Sequence, residues 1–262
     1  SDPADNRRVT PVKLSEPALP VRPEKTFRDL FDLFMADPSR ARVRKTDMVY
    51  ETLFEMAAAL WGADRPLRAI DREACRDLLD LLRWLPSNPT KRFPKLTAVQ
   101  AARMAKAKGL TSTLSPASVN GYLNKLRAML NFAVREELLE RNPAKGLGVV
   151  DPVRSRDKRL PFSTEQLRLI FNAPLYRGCV DDWFGYAMPG PNRPRRGRFW
   201  VPLLALFAGL RLNEACQLDL ADIQVVEGVD CIFVSAGVAT PENDKRLKTT
   251  SSERYIPIHP TL

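Results

Sequence analysis

The chain has 262 residues, of which 44% are apolar, with 41 Lys and Arg against 31 Asp and Glu for a formal net charge of +10. That length suits two domains with a buried core, no apolar run approaches the ~18 residues of a membrane span, and no secretory leader pattern opens the sequence. Cys75, Cys179, Cys216 and Cys231 lie far apart and match neither a zinc pattern nor a disulfide framework, which reads as an intracellular protein with reduced thiols.

Residues 1–22 carry prolines and no apolar period, and read as an arm. Thr26 then caps a helix with Phe27, Leu30, Phe31 and Phe34 on one side. A second amphipathic run spans 45–61. Asp71 caps a third, with Cys75, Leu78, Leu79 and Leu82 inward, stopped near Pro86. PSNPTKRFPKL (86–96) reads as a basic loop broken by proline. A short cationic helix follows from Thr97 to Lys108, closed by Gly109. Ser115 as N-cap and Pro116 at the first helical position open the strongest helix, expected to run to Glu140.

Residues 147–161, rich in Gly, Pro and charge, read as a linker between a helical domain at 23–146 and a second domain at 162–262. The second domain opens on a capping box, Ser163 with Gln166, and a hydrophobic staple, Phe162 with Leu167. YAMPGPNRPRRGR (186–198) is another basic loop. An apolar helix over 198–208 follows, then a short one capped by Asn213. VDCIFVSA (229–236) and RYIPIHP (254–260) read as strands.

Charge is unevenly placed. Residues 1–150 hold 26 Lys and Arg against 18 Asp and Glu, and 151–262 hold 15 against 13. No acidic residue lies between Asp80 and Glu136, a stretch with ten basic ones that include Lys91, Arg92, Lys95, Arg103, Lys106 and Lys108. Such a region attracts polyanions, whereas an ordinary solvated surface mixes both signs. Within it, Asn120, Asn124, Arg127, Asn131 and Arg135 are spaced to share one helix stripe, on another side from the apolar residues Val119, Leu123, Leu126, Leu130 and Ala133. Asparagine is a mediocre helix former, and both Asn and Arg bond DNA bases and phosphates. The stripe therefore reads as a DNA-facing surface, the alternative being a plain solvated face.

In FAGLRLNEACQLDLADI (207–223), Arg211 interrupts apolar sequence, with Glu214 three residues on. A charge in a core-type segment needs a partner. Spacing alone allows a phosphate-binding arginine steadied by Glu214, or a ligand-free ion pair.

GLRLNEACQLDLADI resembles the first arginine motif of the tyrosine recombinases, the phage-type integrases. LKTTSSERYIPIHP, some 35 residues later, resembles that family's lysine hairpin, in which Lys-Thr, a Ser and an Arg precede an apolar strand. The upstream helices, the stretch REELLERNPAKGL and the entry LPFSTEQLRLIF also fit, so the resemblance covers about 25–262.

The resemblance implies a mainly α protein. A helical, SAM-like core-binding domain at 23–146 would join the N-terminal part of an α+β catalytic domain with a small sheet. It implies double-stranded DNA as partner, a homotetramer on DNA, no membrane, a cytoplasmic bacterial or phage setting, and no metal or other cofactor. Arg211 would stabilise charge on the phosphate, Lys248 would protonate the leaving 5′-oxygen with Lys245 as second candidate, and Glu214 would support Arg211. The family's His-x-x-Arg box and its nucleophilic tyrosine follow the hairpin, and no residue here matches them. His259 fits a strand end, and Tyr50, Tyr122, Tyr176, Tyr186 and Tyr255 all precede the nucleophile's place. The expectation is a fragment that binds DNA without cleaving it. A non-catalytic DNA-binding adaptor and a type IB topoisomerase-like enzyme are the alternatives. The basic segment 86–110 exceeds a minimal core-binding domain and reads as an added DNA-facing element.

Overall fold

In a computed structural model, which describes residues 24–40, 42–237, 245–247 and 249–262, the chain divides into two units, one ending at Lys158 and the other spanning Arg159–Leu262. The proposed arm at 1–22 lies outside the described residues.

The first unit is helical. In α1 (Phe27–Ala36), Thr26 Oγ1 accepts from Asp29 N at 3.2 Å while Asp29 returns a bond to Thr26 N at 2.8 Å, a closed capping box. α2 (Arg44–Trp61) stops at Gly62. The Trp61 indole, buried against α3 (Arg72–Trp84), donates to Ala74 O at 3.1 Å, so its one polar atom is satisfied. Asp71 caps α3 by accepting from Ala74 N. A short α4 (Pro89–Arg92) forms inside the segment expected to be loop, because Asn88 takes a left-handed conformation and Pro89 sets the first helical position. α5 (Ala98–Ala107) has Thr97 and Gln100 as a second capping box. α6 (Pro116–Arg135), capped by Ser115, packs against α1, α2 and α3. Leu30, Leu53, Leu78, Leu82, Leu123 and Leu126 meet in one core and are fully buried. Burial on that scale is worth about 2 kcal/mol per side chain.

α6 ends five residues before the expected Glu140. Glu137 adopts φ +58°, its N–H bonds Val134 O, and Leu138 N–H reaches back to Ala133 O. This is a Schellman ending without its usual glycine. Acids suit a helix C-terminus poorly, and Leu138 and Leu139 leave the helix to pack on the core.

The second unit starts with α7 (Thr164–Phe171), where Ser163 and Gln166 form the expected capping box. The expected staple is not closed, since Phe162 is 65% exposed. α8 (Pro174–Arg177) follows, then α9 (Gly197–Ala208), which contains Pro202. Gly209 at φ +63° breaks the chain sharply before α10 (Leu212–Cys216). Arg211, not Asn213, is the N-cap, because Glu214 at the third helical position accepts the Arg211 N–H at 3.0 Å.

Three strands then form one antiparallel sheet in the order β1 (Ile223–Val226), β2 (Val229–Val234) and β3 (Arg254–Pro257). β1 was not anticipated. Glu227 and Gly228, both at positive φ, close a two-residue turn that pairs Val226 with Val229. The third strand is shorter than 254–260. The molecule is thus mainly α with a small sheet, as the sequence implied. The second unit's buried cluster is Ala208, Leu210, Ala215, Ile232 and Val234.

Candidate active site and nucleic-acid interface

The sharp break at Gly209 places Arg211 at the head of α10 with a side chain 57% exposed, while the Glu214 side chain is only 4% exposed. The buried charge in the apolar segment is therefore the carboxylate and not the guanidinium. Glu214 Oε1 accepts from Arg211 Nη1 at 2.6 Å. Its Oε2 accepts from Arg254 Nη2 at 2.9 Å and from the Arg211 N–H. Burial alone would raise the Glu214 carboxyl. Bonds from Arg254, from the Arg211 backbone and from the Arg211 side chain outweigh it and bring its pKa down to about 2. The carboxylate is thus fully ionised at neutral pH.

Arg211 Nη1 also donates to Ser252 Oγ at 3.2 Å. Ser252 shares a hydrogen bond with Thr249 Oγ1 at 2.9 Å, and its carbonyl accepts from Arg254 Nη1 at 2.8 Å. The arginine motif and the start of β3, some 40 residues apart in sequence, are therefore bonded to each other. Lys248, expected as general acid, lies outside the described residues. Lys245, the second candidate, is 11% exposed, with Nζ at 2.6 Å from Asp222 and 2.8 Å from Asp219. Burial alone would lower its pKa, but these carboxylates outweigh it and hold the ammonium above its ordinary value. A clamped ammonium with a raised pKa is a poor proton donor, so Lys245 reads as an anchor. Arg246 N bonds Gln217 Oε1 nearby, which ties the same stretch to the end of α10.

On α6 the five stripe residues have different uses. Asn120 bonds both backbone groups of Val149, its Nδ2 to O at 2.8 Å and its Oδ1 from N at 3.0 Å, which ties its amide to that segment. Asn131 Oδ1 accepts from Asn142 Nδ2 at 2.6 Å, and Asn142 also bonds Arg127 O. Arg127 donates to Asn124. Arg135 pairs with Asp37 at 3.4 Å over the Phe132 ring. Asn124, Asn131 and Arg135 remain exposed, whereas Asn120 and Arg127 are half-buried.

Lys91, Arg92, Lys95, Arg103, Lys106 and Lys108 are all exposed. Arg92 Nη1 donates to Ser112 O at 3.0 Å, and the Ser87 and Leu114 N–H groups close the same segment onto Ser112 and Leu85. The loop expected at 86–96 is therefore held in place. Among the described residues only Lys106 in this set has an acidic partner, Asp80 at 2.5 Å, the last acid before the acid-free run.

Sequence reasoning missed Arg254 and Ser252 as members of the arginine cluster, although both stand in the quoted hairpin motif. The signal was the motif itself, without a role attached. Among the described residues no group of His, Cys, Asp or Glu is placed to hold a metal. No described helix is long and apolar enough to cross a membrane.

No protein-family profile matches the sequence, and no curated protein matches it. Solved structures do match in fold. The Tn1549 transposon integrase in complex with a circular intermediate DNA aligns over 90% of this chain and 61% of that one, with a TM-score of 0.56 and 16% identity. Its complex with transposon right end DNA aligns over 90% and 62%, with a TM-score of 0.54 and 17% identity. The chain shares the fold of this transposon integrase and spans about three-fifths of the length of the integrase chain it matches.

Proposed function

We propose that the chain is the DNA-binding part of a site-specific tyrosine recombinase. That parent recombinase would break and rejoin DNA through a 3′-phosphotyrosine intermediate. The observation that carries this reading is the bond from Arg211 to Ser252, which joins the two motifs of one active site across 41 residues. The integrase fold and the acid-free basic stretch support it.

The first unit binds duplex DNA through Lys91, Arg92, Lys95, Arg103, Lys106 and Lys108, with Asn124, Arg127, Asn131 and Arg135 along α6. Asn120 contributes by shaping the unit. In the second unit Arg211 stabilises charge on the phosphoryl oxygens, and Lys248 protonates the leaving 5′-oxygen. The attacking tyrosine is supplied from outside these 262 residues. Burial pushes the phenols of Tyr50, Tyr122 and Tyr176 up, which suits packing and not attack. The parent protein assembles as a tetramer on DNA, belongs to a mobile element and works in the cytoplasm at the nucleoid.

A nicked suicide duplex tests this in the parent protein. A covalent 3′-phosphotyrosyl adduct is expected, lost in Arg211→Ala and in Lys248→Ala while duplex binding persists. An adduct that survives both substitutions would sink the reading. A parent that binds duplex without ever forming an adduct would make it the adaptor instead.

A further inference from the structure

Arg211 and Glu214 alone would make a poor phosphate site. A carboxylate 2.6 Å from one guanidinium nitrogen cancels most of the field that arginine projects toward an incoming anion. The structure supplies a second cation. Arg254, at the start of β3, sits 2.9 Å from the other carboxylate oxygen and is more enclosed than Arg211, with 35% of its side chain exposed against 57%. One buried negative charge is thus shared by two guanidiniums, and the cluster keeps a net charge of one positive unit. The exposed member, Arg211, presents it.

We propose that Arg254 is a positioning residue: by neutralising Glu214 it leaves the charge of Arg211 available to a DNA phosphate. Ser252 complements it. Its Oγ receives Arg211 Nη1 while its carbonyl receives Arg254 Nη1, so one residue holds both guanidiniums. The proposal rests on the reading of Arg211 as a phosphate ligand and adds a residue to which the motif resemblance gave no role. It assigns to Glu214 a double task, holding Arg211 by its Oε1 and by the Arg211 N–H, at a cost in charge that Arg254 offsets.

The test uses this chain and a duplex of about 30 base pairs, with affinity measured over a salt series. Each phosphate contact contributes about 0.9 to the log–log slope. Arg211→Ala is expected to lower the slope by about one contact and weaken binding several-fold. Arg254→Gln, which removes the charge and shortens the side chain, should do the same, and Arg254→Lys, which restores the charge, should recover most of the loss. The decisive variant combines Arg254→Gln with Glu214→Gln. Once the uncompensated carboxylate is gone, slope and affinity should return to within about twofold of wild type. A purely structural role for Arg254 predicts no such rescue.

The inference is overturned if Arg254→Gln leaves the slope unchanged while Arg211→Ala lowers it, or if the double variant, folded by thermal melting, binds as weakly as the single one. Should Arg254→Gln unfold the second unit, Arg254→Lys and the double variant still decide. Failures of the two readings are distinguishable. A wild-type chain with no salt-dependent duplex binding removes the DNA-binding function, and a silent Arg211→Ala removes its phosphate contact, each taking this inference with it.

Discussion

The two units keep their structure by different means. The first buries large side chains such as Phe27, Phe34 and Leu126 in a continuous core. The second encloses mainly small or branched residues, Ala208, Leu210, Ala215, Ile232 and Val234, and leaves Leu160, Leu169, Trp183, Phe184 and Leu220 exposed. Its most enclosed charge, Glu214, is bonded on every side. Area burial is non-directional and carries no charge to titrate. A few charge-assisted bonds are directional, pH-dependent and lost together. The first unit is thus built as a stable platform, and the second as a precise but conditional one.

The contrast can be broken most forcefully in the first unit. Leu126→Ala is expected to cost about 2–5 kcal/mol, the usual range for a leucine cavity. In urea unfolding followed by amide hydrogen exchange it should move the first unit's transition and leave the second unit's unmoved. Transitions that shift together would show that the two units do not unfold separately.

Acid should act the other way. The folded Glu214 pKa of about 2 lies below its ordinary 4.5. Its stabilisation is therefore complete above about pH 4.5 and is lost as pH falls toward 2, a change of the order of 3 kcal/mol in the second unit. Near-ultraviolet circular dichroism across this window should show the loss, and Glu214→Gln should remove that pH dependence. An equal response in both would mean that other carboxylates control the acid transition.

A smaller effect sharpens the division of labour on α6. Asn120→Ala leaves both Val149 backbone groups without their partner, at about 1–3 kcal/mol, and duplex affinity should stay within about twofold. Replacing Lys91 and Arg92 with Ala should leave stability nearly unchanged and lower the salt slope by about two contacts. The reverse pattern would make Asn120 a DNA contact after all. Smallest of all, Thr26→Ala and Ser163→Ala each remove one cap, worth about 1 kcal/mol. Each should lower the melting transition of its own unit alone.

What could be read from sequence was mostly local. Thr26, Asp71, Ser115 and Ser163 were readable as caps because a cap and its partner lie three residues apart. The end of α6 was not, because Glu137 takes a conformation that sequence assigns to glycine or asparagine. The uses of Asn120 and Arg254 escaped for another reason: their partners lie 29 and 40 residues away. A polar stripe looks the same in sequence whether it faces a ligand or ties down a chain end. Glu214 was correctly paired with Arg211, but spacing could not reveal which of the two is buried. Strand β1 was legible in principle from the Glu227–Gly228 turn between apolar runs.

One feature of the second unit gives a direct view of the site. His259, the sole histidine of the chain, stacks on Phe207 with ring centroids 4.7 Å apart, and its Nδ1 accepts from the Thr261 N–H. Phe207 lies in the last turn of α9, four residues before Arg211. A single imidazole in the whole molecule gives one pair of ring C–H resonances, displaced by the ring current of Phe207. With carbon-13 in the histidine alone, nuclear magnetic resonance can therefore follow the α9 end of the arginine motif during DNA titration with no substitution.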